Sequence, residues 1–180
     1  TDIPNRQKLI VQVEEKPTAS ISFQAGVSSV ELITVGITAS QTNFDLEKVF
    51  KELNPADWKG AGQKARFRAN IGFRSQNVSL DFVEPWFLDK PIRLSTSGYY
   101  NGASYLSDFY TQQNYGASVG LSRPLGDDFP LNRWSVGAEY RPEYFNIIDL
   151  QSTAPPYFQA STGDTLKSSL RGRIAYDGRD

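Results

Sequence analysis

Apolar and polar side chains alternate one by one along the segment from Gly62 to Pro91. Every second residue from Ala65 to Phe73 is apolar, and the residues between them are arginine, asparagine or glycine. The alternation resumes after a short polar turn at 74–77 and stops at the Pro-Trp-Phe stretch 85–87. Because successive side chains of a β-strand point to opposite faces, this pattern predicts a hairpin with one apolar face, one charged face and an aromatic rim.

Such a hairpin is typical of two kinds of protein. In a soluble β-sandwich the apolar face would be buried in the core and the charged face would meet water. In an outer-membrane barrel the apolar face would meet lipid and the charged face would line the lumen. The hairpin by itself is compatible with both.

The same two-residue period recurs along the chain and predicts about eight strands in simple up-and-down order. The predicted strands cover residues 20–28, 33–44, 65–74, 78–84, 92–100, 115–122, 133–141 and 166–176. This indicates an all-β protein, an antiparallel up-and-down transmembrane β-barrel or part of one. A further strand at 8–13 stands apart, so residues 1–17 are predicted to be a separate small unit before the barrel segment 18–180.

Residues 45–62 interrupt the alternation. Asp45 is a plausible helix N-cap, and Leu46, Val49, Phe50 and Leu53 follow at helical spacing. The spacing predicts one short amphipathic helix near 45–53. It would either lie in the membrane interface or pack as a loop helix on its own domain.

The connections after strands one, three, five and seven share one end of the predicted sheet, and two of them are long loops, at 101–113 and about 145–165. Large aromatic residues collect at the opposite end and predict an aromatic girdle. The predicted girdle consists of Phe44, Trp58, Trp86, Phe87, Phe129 and Trp134. A strand of about ten residues tilted near 45° rises roughly 23 Å, close to the apolar band of about 25 Å in such barrels.

Composition narrows the chemistry. The 180 residues include no cysteine and no histidine, which removes thiol nucleophiles, imidazole bases and most zinc sites. The 19 basic and 20 acidic residues nearly cancel, so no net field favours nucleic acid. We therefore expect neither an enzyme nor a bound cofactor or metal. Apolar runs fall far short of the roughly 20 residues of a spanning helix, whereas spanning strands need only about 9–11 alternating residues.

Charged residues on the polar faces of the predicted strands form a set that would line the lumen. The set is Arg66, Arg68, Arg74, Asp81, Glu139, Arg171 and Arg173. Structural pairing of the arginines with the two acids is the favoured interpretation. A path for nucleic acid or for anions is the alternative.

Several stretches resemble a known family. LIVQVEEKPT, from Leu9 to Thr18, is similar to the end of the last POTRA domain of the BamA-type outer-membrane protein assembly factors. GQKARFRANIG, SLDFVEPWFLDKP and the closing YDGRD are similar, in order and spacing, to the first half of that family's barrel. The resemblance implies a bacterial outer-membrane protein in which 1–17 is the tail of a periplasmic POTRA domain. Residues 18–180 would form half of a barrel of about sixteen strands. The chain departs from the family pattern because it lacks most of the POTRA region, the second half of the barrel and the Arg-Gly-Phe loop motif.

The resemblance also implies a function for the first strand. In the family, a seam between the first and last strands opens so that nascent barrel proteins can pair and insert. An edge strand suits this role because it presents unpaired N–H and C=O groups. The strand predicted to pair with clients is made of Ser20, Ile21, Ser22, Phe23, Gln24, Ala25, Gly26, Val27 and Ser28.

The implied partners are a lipopolysaccharide-containing bilayer, nascent outer-membrane proteins, accessory assembly subunits, and further barrel strands from the parent chain or a second copy. Two alternatives remain open from the residues alone. One is a small outer-membrane barrel or a secretion pore of a related family. The other is a soluble β-sandwich binding module.

Overall fold

A computed structural model describes residues 17–29, 31–104, 108–128, 130–159 and 163–179. Its described part contains one eight-stranded antiparallel sheet in which the spatial order of the strands equals their order in the chain. The strands are β1 Ala19–Ser28, β2 Leu32–Phe44, β3 Gln63–Gly72, β4 Ser75–Glu84, β5 Arg93–Ala103, β6 Thr111–Pro124, β7 Trp134–Ile148 and β8 Gly163–Tyr176. The all-β, up-and-down prediction is confirmed.

The strand register carries the apolar residues of each strand onto a common side, here called the apolar face. One row crosses the whole sheet and consists of Phe23, Ile37, Ala69, Val78, Tyr100, Tyr115, Tyr144 and Leu166. The opposite side, the polar face, carries rows such as Ser22, Thr38, Arg68, Ser79 and Tyr99. The alternation seen in single strands thus becomes two continuous surfaces.

The apolar face is exposed. Phe23 and Leu170 are each 78% exposed, and the only buried apolar side chain in the described residues belongs to Ala154, in a loop. Three of the four buried strand residues in the described part of the chain, Gly36, Ser118 and Gly120, lie on the polar face, and the fourth, Gly102, lies on the apolar face. This distribution indicates that the sheet curves around its polar face, the reverse of a soluble protein, whose apolar face is covered.

The sheet is not closed. In the described residues β1 pairs only with β2, and β8 pairs only with β7. The arrangement therefore differs from the two packed sheets of a sandwich and from a closed eight-stranded barrel. Half of a larger barrel would have the same two open edges.

The two ends of the sheet differ. At the proximal end, where β1 begins and β8 ends, the connections are 45–62, 85–92 and 125–133. At the distal end they are 29–31, 73–74, 104–110 and 149–162. The described residues contain two short α-helices, α1 Leu46–Val49 and α2 Pro156–Gln159, and three 3-10 helices, Pro55–Asp57, Phe87–Asp89 and Leu131–Arg133. None of them is long and apolar enough to cross a membrane.

Most strands extend further than predicted. The turn between β3 and β4 occupies only 73–74, because Ser75, Gln76 and Asn77 already pair with β5. Likewise β6 reaches Pro124 and β7 reaches Ile148. In these segments the strict alternation is lost, either in polar runs such as 75–77 or in apolar pairs such as Tyr144 and Phe145, so alternation alone predicts shorter strands. Backbone pairing continues regardless, since it depends on the N–H and C=O groups of the main chain.

The helix near 45–53 is shorter than predicted. Asp45 caps it as expected, because its carboxylate accepts from the N–H groups of Glu47 at 3.1 Å and Lys48 at 3.3 Å. The helix nevertheless ends at Val49, and Phe50 and Leu53 lie beyond it. The chain must turn back to form the bridge between Phe44 and Lys59, which leaves no room for further helical turns.

Two predictions fall outside the described residues. The separate unit at 1–17 does so except for Pro17, and so does Phe129 of the aromatic girdle. Both remain predictions.

Candidate functional site

The first strand forms a free edge of the sheet, and all of its residues are exposed. The N–H of Thr42 donates to the carbonyl of Thr18 at 3.0 Å, and the register with β2 is unbroken from Ala19 to Ser28. Hydrogen-bonded pairs alternate along an antiparallel ladder, so the even-numbered residues of β1 bond to β2. The backbone groups of its odd-numbered residues, Ile21 to Val27, therefore point away from the sheet and are available to another strand.

Few side-chain bonds hold β1 in place. The hydroxyls of Ser20 and Ser40 lie 2.8 Å apart on neighbouring strands. The amide of Gln24 reaches across β2 and donates to Asn70 Oδ1 on β3 at 2.6 Å. It passes over Gly36, where a Cβ would collide with both amide groups. The hydrogen bond between the first and third strands therefore requires a glycine at position 36 of β2.

The predicted lumenal charges lie on the polar face, and the structure pairs some of them. Arg68 Nη2 lies 2.9 Å from Asp81 Oδ2. Glu139 receives two arginines, Arg141 at 3.1 Å and Arg171 at 3.7 Å. Arg141 was not among the predicted site residues, although it has the same parity along β7 as Glu139 and could have been found from that.

Other predicted charges do not pair. Arg66 and Arg173 have no ion-pair partner among the described residues, and neither has Arg93, a further cation of the polar face. Arg93 lines two shallow cavities, one of about 240 Å³ with Arg171 and Arg173 and one of about 310 Å³ with Arg66. The expected charge pairing is therefore partial, and unpaired guanidinium groups collect near the proximal end.

Arg74 is not a strand residue. It lies in the turn after β3, where its N–H donates to Glu31 Oε2 at 3.2 Å from the neighbouring turn. Glu31 was not predicted as a site residue. The contact ties the turn after β3 to the turn before β2.

The described residues of the predicted girdle all lie at the proximal end. Phe44 meets Phe82 on the apolar face with ring centroids 6.3 Å apart, and Trp134 meets Tyr176 at 5.0 Å. Trp86 is 61% exposed. The remaining two, Trp58 and Phe87, lie in the proximal loops. The structure therefore places at one end of the sheet residues that are up to 90 positions apart in the sequence, from 44 to 134.

The DGR segment after β8 folds into its own turn. Asp177 accepts from Arg179 Nε at 2.8 Å and from Nη2 at 2.6 Å. These bonds hold the pKa of the Asp177 carboxyl well below its usual range. The backbone N–H of Asp177 also donates to the carbonyl of Arg133 at 2.8 Å, which connects the segment to the start of β7. Among the residues that the structure describes, no group of three or more acidic side chains is placed to hold a metal ion.

Comparison with known proteins supports the fold. The chain is similar to the crystal structure of BamA from Haemophilus ducreyi lacking POTRA domains 1–3, with a TM-score of 0.53 and 19% sequence identity. The match covers 93% of this chain and 32% of that one. A comparison with curated protein sequences found no match. The family model described as the Omp85 superfamily domain matches residues 57–180. That match spans more than half of the sequence, and the chain belongs to the Omp85 superfamily.

Proposed function

We propose that this chain is the amino-terminal half of an outer-membrane barrel that folds and inserts client barrel proteins, and that β1 is the seam at which clients pair. The observation that carries the proposal is the free, fully exposed edge of β1. Its alternate backbone groups have no partner strand among the described residues. An unsatisfied N–H or C=O group within lipid costs several kcal/mol, so such an edge favours the arrival of another strand.

The side chains of β1 suit reversible pairing. Ile21, Phe23 and Val27 would contact lipid, while the polar face of the strand carries small or neutral groups such as Ser22 and Gly26. No ion pair fastens β1 to β2 in the described structure. A client strand can therefore add to the edge by main-chain hydrogen bonds without displacing strong side-chain contacts.

The exposed apolar face supports placement in the bacterial outer membrane, with the lipopolysaccharide-containing bilayer around it and the proximal end toward the periplasm. In this proposal 1–17 is the tail of a POTRA domain, and the free edge of β8 continues into further barrel strands. Those strands come from the parent chain or from a second copy. Nascent outer-membrane proteins are the clients, accessory subunits assist, and no catalysis or nucleic acid is involved.

The test uses the chain in phospholipid vesicles and measures how fast a small eight-stranded client barrel folds into them. We expect the chain to accelerate client folding and the Ala25→Pro variant to lose the acceleration, because Ala25 presents a backbone N–H to the free edge. Ser22→Pro is the contrast, since Ser22 bonds to β2 and its replacement should damage the chain's own sheet.

Two outcomes would oppose the proposal in different ways. If Ala25→Pro retains its fold and accelerates client folding as well as the parent, the seam is not at β1. If the parent chain gives no acceleration, insertion is not an activity of this part of the molecule.

The unpaired arginines favour a second candidate, a secretion pore of a related family. Arg66, Arg93 and Arg173 lie on the polar face and would make a lumen selective for anions. Planar-bilayer recordings test this. A stable anion-selective conductance that falls when the three are replaced by glutamine supports the pore, whereas the absence of a conductance leaves insertion as the better explanation.

A further inference from the structure

We propose that the proximal loops 45–62 and 85–92 act together as an anchor that binds the headgroup region of one membrane leaflet. We call these two segments the paired-loop anchor. The inference rests on the proposed placement of the sheet in a membrane. It adds a lipid contact made by loops, beyond the strands.

A chain of hydrogen bonds joins the two loops. Gln63 Oε1 accepts from the N–H of Leu46 at 2.7 Å, and Gln63 Nε2 donates to Glu84 Oε2 at 2.6 Å. The other carboxylate oxygen of Glu84 accepts from the N–H of Trp86 at 3.0 Å. One glutamine and one glutamate thereby tie the first turn of each loop to the other.

These bonds also fix the side of the sheet on which the loops begin. Gln63 pairs with Phe44 and shares the apolar face with Ala65, two residues along β3. Glu84 pairs with Leu94, whose row continues to Leu121. Both linking side chains therefore lie on the apolar face, so the loops leave the sheet from the side that meets lipid.

Several polar groups of the longer loop are hydrogen-bonded within the loop or to the end of β2. Lys48 Nζ donates to the carbonyl of Lys59 at 2.7 Å, and Trp58 Nε1 donates to the carbonyl of Glu52 at 2.9 Å. The N–H of Gly62 donates to Asn43 Oδ1 at 2.8 Å. These bonds lower the desolvation penalty of the bonded groups when the loop enters the interface.

Large apolar side chains of the same loops face outward. Phe50 is 83% exposed, Leu53 is 101% exposed, Trp86 is 61% exposed and Leu88 is 70% exposed. Leu88 has a φ of 59°, a left-handed conformation that is strained for a branched side chain. Loops that expose apolar groups next to an apolar belt present the surface that a lipid interface covers.

The first experiment places a single tryptophan in the anchor. Trp58, Trp86 and Trp134 are replaced by phenylalanine, and Leu53→Trp is added in one variant and Leu80→Trp in another. Leu80 is a central residue of the apolar face, paired with Phe67 and Gly98. Each variant is refolded into phosphatidylcholine vesicles that contain lipids brominated either near the headgroup or near the end of the acyl chain.

We expect lipids brominated near the headgroup to quench the Leu53→Trp variant at least twofold more than the deep bromines, and we expect the reverse for Leu80→Trp. If Leu80→Trp is quenched but Leu53→Trp responds only to aqueous acrylamide, the anchor is wrong and the membrane placement stands. If neither variant is quenched by brominated lipid, the membrane placement fails as well.

The second experiment tests the link between the loops. Gln63→Ala removes both of its hydrogen bonds, and Gln76→Ala removes a glutamine of the same face at the distal end. We expect Gln63→Ala to reduce the headgroup quenching of the Leu53→Trp variant by at least half, with the deep quenching of Leu80→Trp unchanged. Gln76→Ala should alter neither signal. Equal headgroup quenching in both alanine variants would show that the loops do not act as a unit.

Discussion

Gly36 is the residue on which the contact between β1 and β3 depends. The Gln24 to Asn70 hydrogen bond passes directly over it. We predict that Gly36→Ala breaks this bond and lowers the free energy of unfolding by about 1 kcal/mol, the usual net contribution of one hydrogen bond. The measurement is denaturant unfolding of the chain in detergent micelles or vesicles.

Two controls separate this cause from a general effect of alanine. Gly98→Ala should be neutral or slightly stabilising, because a Cβ there meets no atom within 4 Å and glycine weakens a strand. In an Asn70→Ala background, Gly36→Ala should cost less than it does alone, since the bond is already lost. A full and unchanged loss in that background would contradict the explanation.

For the charged residues of the polar face, the sequence predicts the face of the strand but not the ion-pair partner. Parity along a strand predicts that Arg66, Arg68 and Arg171 share one face, and the register pairs Arg66 with Asp81 and Arg171 with Glu139. It did not reveal that Arg68, and not its neighbour Arg66, pairs with Asp81. Asp81 stands opposite Arg66 in the register, so the choice depends on side-chain direction across the ladder, which a sequence does not specify.

The strand is the element at which the two faces can be compared directly. We predict that Leu80→Arg, at the centre of the apolar face of β4, lowers the free energy of unfolding in a bilayer by about 2–4 kcal/mol. Asn77→Arg, on the polar face of the same strand, should change it by no more than about 0.5 kcal/mol. Its row neighbours Asn70 and Asn101 carry no charge. Unfolding of both variants from vesicles of one composition gives the comparison, and equal losses would mean that the faces are not divided between lipid and lumen.

The sequence predicts the type of each strand or helix more reliably than the residues at which it begins and ends. All eight strands were identified because two-residue alternation is a local property. The predicted strands are too short where polar residues continue to pair, since β4 already begins at Ser75 and β6 at Thr111. The helix near 45–53 is predicted to end too far along the chain. Leu46, Phe50 and Leu53 have helical spacing, but Phe50 and Leu53 lie outside the helix.

At the scale of the whole molecule, the described residues hide almost no apolar surface. Burial of apolar surface is the dominant favourable term in the folding of a soluble domain. We therefore predict that the chain folds only where detergent or lipid covers its apolar face. Circular dichroism should show β-structure in detergent and not in buffer alone. A compact band that disappears on heating should appear in gel electrophoresis of the detergent sample. A cooperative, monomeric fold in buffer would contradict the membrane interpretation.

The sequence by itself determined the class of structure, the number of strands and the face to which most strand side chains belong. These follow from a period of two residues, which is set by the geometry of a single strand. Only the tertiary structure decided which side chains on different strands form hydrogen bonds with one another. The bond between Gln24 and Asn70 joins residues 46 positions apart, and that between Gln63 and Glu84 joins residues 21 positions apart. Such contacts depend on the register between strands, and a shift of one residue would move every side chain to the opposite face. The open edges of β1 and β8 were likewise decided only at this level, because an edge is defined by the neighbour that a strand lacks.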